Sequence, residues 1–146
     1  MRRGFSLLEV LVALLILGVT LALGFTAYGR FLARARLEGD ARNLAQAFAA
    51  ARAEAKRAHT PVCVFVDRGG YRLGYPCGSG TYRAFAVAQT AGSSLRLWIT
   101  YNPPHGTADY GVPDTLFASV TLVHKDDPGL AREVNVVGPL GKVVVR

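Results

Sequence analysis

Ionisable side chains are nearly missing from the start of this chain. Between Phe5 and Phe25, a run of 21 residues, the only one is Glu9. Charged residues make up 18% of the 146, against about 25% in an average domain, and this run accounts for much of the shortfall. Cysteine is scarce too, with Cys63 and Cys77 the only two. With no CxxC and no His/Cys cluster, the sequence speaks against a zinc site. No GxSxG nucleophile turn and no GxxxxGK[ST] phosphate loop occurs. His59, His105 and His124 stand far apart, and Asp126-Asp127 falls in a DDPG turn. These absences point away from an enzyme and away from a cofactor or a metal.

What is present begins with length. The apolar run meets the roughly 20 residues that a helix needs to cross a bilayer core. The basic pair Arg2-Arg3 before it favours an N-inside orientation, although Arg30, Arg34 and Arg36 on the far side oppose it. Two ordinary readings fit the run. One is a secretory signal cut after Ala22-Leu23-Gly24, but an h-region is usually about 7–15 residues and carries no acid. The other is a plain anchor, for which Glu9 has no use. A carboxylate there costs on the order of 3 kcal/mol on insertion scales, so it needs a partner. Arg2 and Arg3 lie too far back for helical i,i+4 contact. A chain cut between Gly4 and Phe5 would supply one: the freed Phe5 ammonium of one copy can neutralise the Glu9 carboxylate of another within a helix bundle.

Gly4-Phe5-Ser6-Leu7-Leu8-Glu9, after a short basic leader and before a long apolar run, resembles the class III signal of type IV pilins and type II secretion pseudopilins. The resemblance implies cleavage after Gly4 by a prepilin peptidase, N-methylation of Phe5, and Glu9 as the acid that guides assembly. It also implies other pilin or pseudopilin subunits as partners. The precursor would be a single-pass protein of a bacterial inner membrane with its head in the periplasm, and the product a subunit of a cell-surface or periplasmic pilus.

Beyond the run, Leu37, Ala41, Leu44, Phe48, Ala51, Ala55 and Ala58 recur at alternating spacings of four and three, one face of a helix. No proline precedes Pro61, so a single helix is predicted from the N-terminus to about His59. Gly18, Gly24, Gly29 and Gly39 within it mark either bends or close helix packing. The expected organisation is leader 1–4, membrane-spanning helix 5–29, amphipathic helix 30–60 and β-rich head 61–146.

The head reads as strands at 62–66, 71–75, 82–87, 95–101, 116–123, 132–137 and 142–145, with 102–114 as its longest loop. A long helix followed by antiparallel strands gives an α+β class, a pilin-like helix packed on a sheet or sandwich. A hairpin turn centred near Gly70 would set Cys63 opposite Cys77, close enough for a disulfide in an oxidising compartment. The arrangement is similar to the GspH/FimT-like branch of minor pilins, through Ala51-Arg52-Ala53-Glu54-Ala55 with Pro61-Val62 and through Arg132–Val136 with Gly141-Lys142-Val143. Position in the first hairpin sets these cysteines apart from the C-terminal disulfide loop common in major pilins.

The chain carries a net charge of +7. Some members of the minor-pilin branch bind DNA through Gly-Arg-x-Arg near the C-terminus; this chain ends Gly141-Lys142-Val143-Val144-Val145-Arg146. Lys142 and Arg146 share a strand face, and with Arg132 they would form a phosphate-contacting patch. The other reading is that these charges flank a buried VVV strand for solubility. Three functions remain: a type IV minor pilin that primes a filament or aids DNA uptake, a type II secretion pseudopilin, and an ordinary signal-anchored or secreted β-rich binding domain.

Overall fold

A computed structural model describes residues 7–91 and 96–146, with side chains at all of these except 23, 26 and 27. The leader, Phe5 and the start of the predicted strand at Leu95 lie outside the described residues. The chain divides into two units, Met1–Arg34 and Ala35–Arg146. One helix, α1, runs Leu7–Ala58. It ends just before Pro61, whose ring disfavours helical geometry in the residue before it. The four glycines do not break it, and a Cβ at any of them would meet nothing within 4 Å. Close packing within this chain is therefore not their purpose.

In the first unit the helix from Leu7 to Leu21 is apolar but for Glu9 and Thr20, and it is bare. Leu7, Leu8, Leu11, Leu14 and Leu15 are each more than half exposed. Continuous apolar surface of this kind marks a membrane or a partner. Among the described residues no helix is long and apolar enough to cross a membrane.

In the second unit the helical stripe becomes a core. Leu37, Ala41, Leu44, Phe48, Ala51 and Ala55 are all buried, as the four-three spacing predicts; Ala58, the last helical residue, is exposed. They join the inward side chains of two antiparallel sheets in one hydrophobic cluster. The strands are β1 Val62–Val66, β2 Gly70–Gly74, β3 Tyr82–Ala84, β4 Ala88–Thr90, β5 Leu97–Asn102, β6 Thr107–Asp109, β7 Phe117–His124, β8 Ala131–Val137 and β9 Lys142–Val145. One sheet has the order β3-β2-β1-β5-β6 and the other β4-β7-β8-β9. The fold is α+β, a helix packed on antiparallel sheets. Val64, Val66, Ile99 and Tyr101 face the cluster from the first sheet; Val120, Leu122, Val134 and Val136 face it from the second.

Three sequence expectations need correction. The strand expected at 82–87 stops at Ala84, and a separate strand, β4, begins at Ala88 in the other sheet. The cause is Asp40, a buried carboxylate on α1. Its Oδ1 accepts the Ala86 N–H at 3.0 Å, and its Oδ2 accepts those of Val87 and Ala88 at 2.9 Å each. These N–H groups are drawn to the helix and lost to the first sheet's ladder. Second, the 102–114 loop contains β6, paired with β5 through Thr100↔Asp109 and Asn102↔Thr107.

Third, the first hairpin turns earlier than expected. Asp67 Oδ1 accepts the N–H groups of Gly69 and Gly70, both at 3.0 Å, an Asx-type turn that centres the hairpin before Gly70. Cys63 therefore pairs with Gly74 in the ladder, and Cys77 lies beyond the end of β2.

Asp40 carries a testable load. Hydrogen bonds to an ionised group contribute about 1.5–3 kcal/mol each, and a buried donor left without an acceptor costs about as much. Asp40→Ala should lower stability by roughly 3–5 kcal/mol, read by urea unfolding of the full chain in detergent. Asp40→Asn, which keeps one acceptor oxygen, should cost less. A loss below about 0.5 kcal/mol for the alanine variant would mean that water replaces the carboxylate.

Candidate functional site

Of the residues expected to direct processing and assembly, Gly4 and Phe5 lie outside the described residues. Glu9 stands in the first turn of α1 as its acidic residue. It is exposed and stands among exposed Leu7, Leu8, Val10 and Leu11. The geometry is that of an isolated acid on an apolar rod.

In the second unit, Cys63 and Cys77 are joined by a disulfide with their Cα atoms 5.2 Å apart. Cys63 sits in the middle sequence of the first sheet, and the bridge ties the segment after β2 back to β1. Closing a loop of this size constrains the unfolded chain by about 3 kcal/mol in the chain-entropy account.

The C-terminal cations do not gather as one patch. Along β9 the register Val136↔Val143 and Val134↔Val145 turns Val143 and Val145 toward the core. Alternation puts Lys142, Val144 and Arg146 on the outer face. Arg132 has the parity of buried Val134 and Val136, so it lies on the other face of the sheet. Arg146 continues the ladder opposite Glu133, with N···O distances of 2.8 Å in both directions. The residues that open β9, Gly141 to Val143, line a cleft with Arg52 and Lys56 of the helix, while alternation turns the Lys142 side chain to the outer face. The turn before β9 makes this possible. Gly141 has φ +58, and a Cβ there would come within 2.7 Å of Tyr101 Cε1, so only glycine lets β9 start so close to the core.

Sequence reasoning missed Glu133 as the partner of the tail. Ser119, its diagonal neighbour on β7, donates its hydroxyl to Glu133 Oε1 at 2.6 Å. This bond, then one from the Asn135 amide, then the charge of Arg146, hold the Glu133 carboxyl below its ordinary value against a smaller opposing effect of burial. A signal was present: in Arg132-Glu133-Val134-Asn135-Val136 the polar residues at 133 and 135 alternate with valines, which marks them as one face. Arg52 and Lys56 also carried a signal, being one helical turn apart on the flank of the apolar stripe.

Residues 1–25 match the prokaryotic N-terminal methylation motif, the signature of type IV pilins and pseudopilins. The motif implies a membrane-anchored precursor that a prepilin peptidase processes and that assembles with other pilin subunits; it points to a structural subunit rather than an enzyme. No curated protein and no solved structure matches the chain.

Glu133 gives a pH prediction. Its folded-state pKa is depressed, so its contribution to stability is present above the ordinary carboxylate range and is lost as pH falls through the depressed value. Ser119→Ala removes the largest cause. The Glu133 titration, followed by NMR of its side-chain carboxyl, should then move up toward the ordinary value. An unmoved titration would show that Asn135 and Arg146 suffice without the hydroxyl.

Proposed function

We propose that this chain is a minor pilin, a low-abundance structural subunit of a type IV pilus. Residues 5–29 hold it as a single-pass protein in a bacterial inner membrane until it is drawn into the filament, and its head stands in the periplasm. A prepilin peptidase cuts between Gly4 and Phe5 and methylates the new amino terminus. The observation that carries the reading is the methylation motif at residues 1–25, with Glu9 as the lone acid of the apolar run. Its role would be to prime filament assembly at the tip or to serve DNA uptake.

The mechanism follows from the cost of each charge alone. The Glu9 carboxylate and the Phe5 ammonium are both expensive in hydrocarbon. Paired between neighbouring subunits they neutralise each other, and the pairing sets the register of one helix against the next. The exposed apolar surface from Leu7 to Leu21 supplies the contact area. A type II secretion pseudopilin would use the same pairing, and the two are separated by phenotype: twitching and DNA uptake on one side, export of folded proteins on the other.

The mature amino terminus tests the processing step. Mass spectrometry of protein from the native membrane should find N-methylated Phe5; a chain beginning at Phe25 would make it an ordinary signal-peptide substrate. Glu9→Ala should be processed normally and yet fall at least about tenfold in sheared filament fractions, while accumulating in the membrane. Normal incorporation of that variant would remove the charge pair from the account.

A further inference from the structure

Strand β9 is the last of its sheet and has β8 on one side only. Arg146 and Glu133 exchange both of their backbone hydrogen bonds. Such pairs alternate along an antiparallel ladder, so Val144 and Lys142 also bond toward β8, through Asn135 and Val137. The N–H and C=O groups of Val143 and Val145 therefore point away from the sheet, along its free edge. That edge does not open onto plain solvent. Gly141, Lys142 and Val143 line a cleft of about 430 Å³ with Ala49, Arg52, Ala53 and Lys56 of α1. Successive side chains of a strand point to opposite faces, so three residues in a row reach one cleft through their backbone edge. A strand edge and a helix flank are thus the two walls of a groove.

We propose that this groove binds an extended, acidic segment of a partner protein, which adds to the second sheet as a further strand beside β9. The added strand takes the N–H and C=O groups of Val143 and Val145, the mode of recognition in which main-chain bonds supply affinity and side chains supply choice. Neighbouring strands lie about 4.8 Å apart, and the short side chains of Ala49 and Ala53 leave the helix flank open to a second backbone. The acidity follows from the walls. Arg52 and Lys56 stand one helical turn apart, where like charges repel, and no carboxylate lines the groove. Glu54, between them in sequence, is bound to Arg57. Among the described residues Arg52 Nε is buried and has no hydrogen-bond partner. A carboxylate on the added strand answers that donor and offsets both charges.

The same pattern disfavours two other occupants. A nucleic-acid backbone can accept from the N–H groups, but its phosphates have no donors for the carbonyls of Val143 and Val145. A second copy of β9 has both, yet it brings the Lys142 and Arg146 ends of two chains together and leaves Arg52 and Lys56 unbalanced; like charges facing each other across a strand pair are destabilising. The cations are also held in place. Gly106, in the turn between β5 and β6, lies against their stems; a Cβ there would be 2.8 Å from Arg52 Cγ and 3.0 Å from Lys56 Cε. Packing of the turn on these aliphatic parts limits where the charged ends can go, which lowers the entropy lost on binding. All of these residues belong to the Ala35–Arg146 unit, so the site stands or falls apart from the assembly reading.

The test titrates the full chain in detergent micelles with an end-blocked peptide, Glu-Thr-Val-Thr-Val-Glu. The comparison probes are the same peptide with Lys in place of Glu, its fully N-methylated form, which has no backbone donors, and a short DNA duplex. Binding should shift the Val143 and Val145 amide resonances and slow their hydrogen exchange, while the Val144 amide, already bonded to β8, changes least. Val145→Pro removes an outward N–H, a change that edge strands tolerate, and should weaken binding about tenfold. Arg52→Gln and Lys56→Gln should each weaken it roughly threefold. Arg68→Gln removes a charge from the exposed β1–β2 turn and should change affinity by less than about twofold. Equal binding of the lysine peptide or of the N-methylated peptide, or no binding of the acidic one, overturns the proposal. So does a duplex that displaces the peptide, which makes the groove a nucleic-acid site. Protection of Val143 and Val145 that rises with protein concentration alone makes the occupant a second copy and overturns it too. Should Val145→Pro fail to fold, the N-methylated peptide carries the same comparison.

Discussion

One carboxylate holds the head together. Asp40 is 5% exposed and gathers the three successive N–H groups of residues 86–88 onto the helix. Those residues are the passage from the first sheet to the second. Without an acceptor there, the chain after β3 has two poor choices: to extend as an edge strand of the first sheet, or to bury three donors unpaired. With Asp40 in place the passage is fixed against α1, Phe85 turns into the core beside Tyr71 with ring centroids 5.8 Å apart, and β4 starts in register with β7 through Ala88↔His124. A buried charge is tolerated here because its hydrogen bonds replace its lost water. The helix stripe supplies the bulk of the burial; Asp40 decides which way the strands run over it.

That division explains what the sequence made legible. The stripe from Leu37 to Ala55 is periodic, and periodicity survives folding because each member is buried for the same reason. Strands β1, β7, β8 and β9 could be read from their β-branched alternation. The expected strand at 82–87 was misread because Asp40, some forty-five residues earlier, competes for its N–H groups, and no local pattern records such a competitor. Strand β6 was hidden because Thr107-Ala108-Asp109 is short and lies between prolines and glycines that read as loop. The hairpin register was lost by the same kind of detail: Asp67, acting through its side chain, moved the turn. The apolar patterns were local and visible, whereas side-chain bonds to backbone redirected the chain at two joints.

The site was legible in unequal parts. Glu9 drew notice because it violates its surroundings, and a violation needs no tertiary structure to be seen. The tail drew notice for its charges, but sequence could only say which residues share a strand face. It could not say what lies across the ladder from Arg146. Arg132, two residues from the core valine Val134, was placed with the tail because its strand neighbours β9, and it is separated from the tail by the thickness of the sheet. Parity within β8 alone, counted from Val134 and Val136, would have set it on the opposite face from Glu133.

The charges of the tail answer to the edge on which it lies. Strand β9 has β8 on one side, and its outer edge carries exposed backbone groups that invite pairing with another chain. A segment reading VVV at such an edge is an aggregation hazard, and charged residues at its ends are the usual protection. Arg146 serves that end of the strand and is balanced by Glu133 across the ladder. Lys142 guards the other end, exposed on the outer face of the sheet, where its charge stands in open water and is cheap. The edge strand is thus charged at both ends, by a lone lysine at one and by a paired arginine at the other, and the valines between them turn inward or lie flat along the sheet.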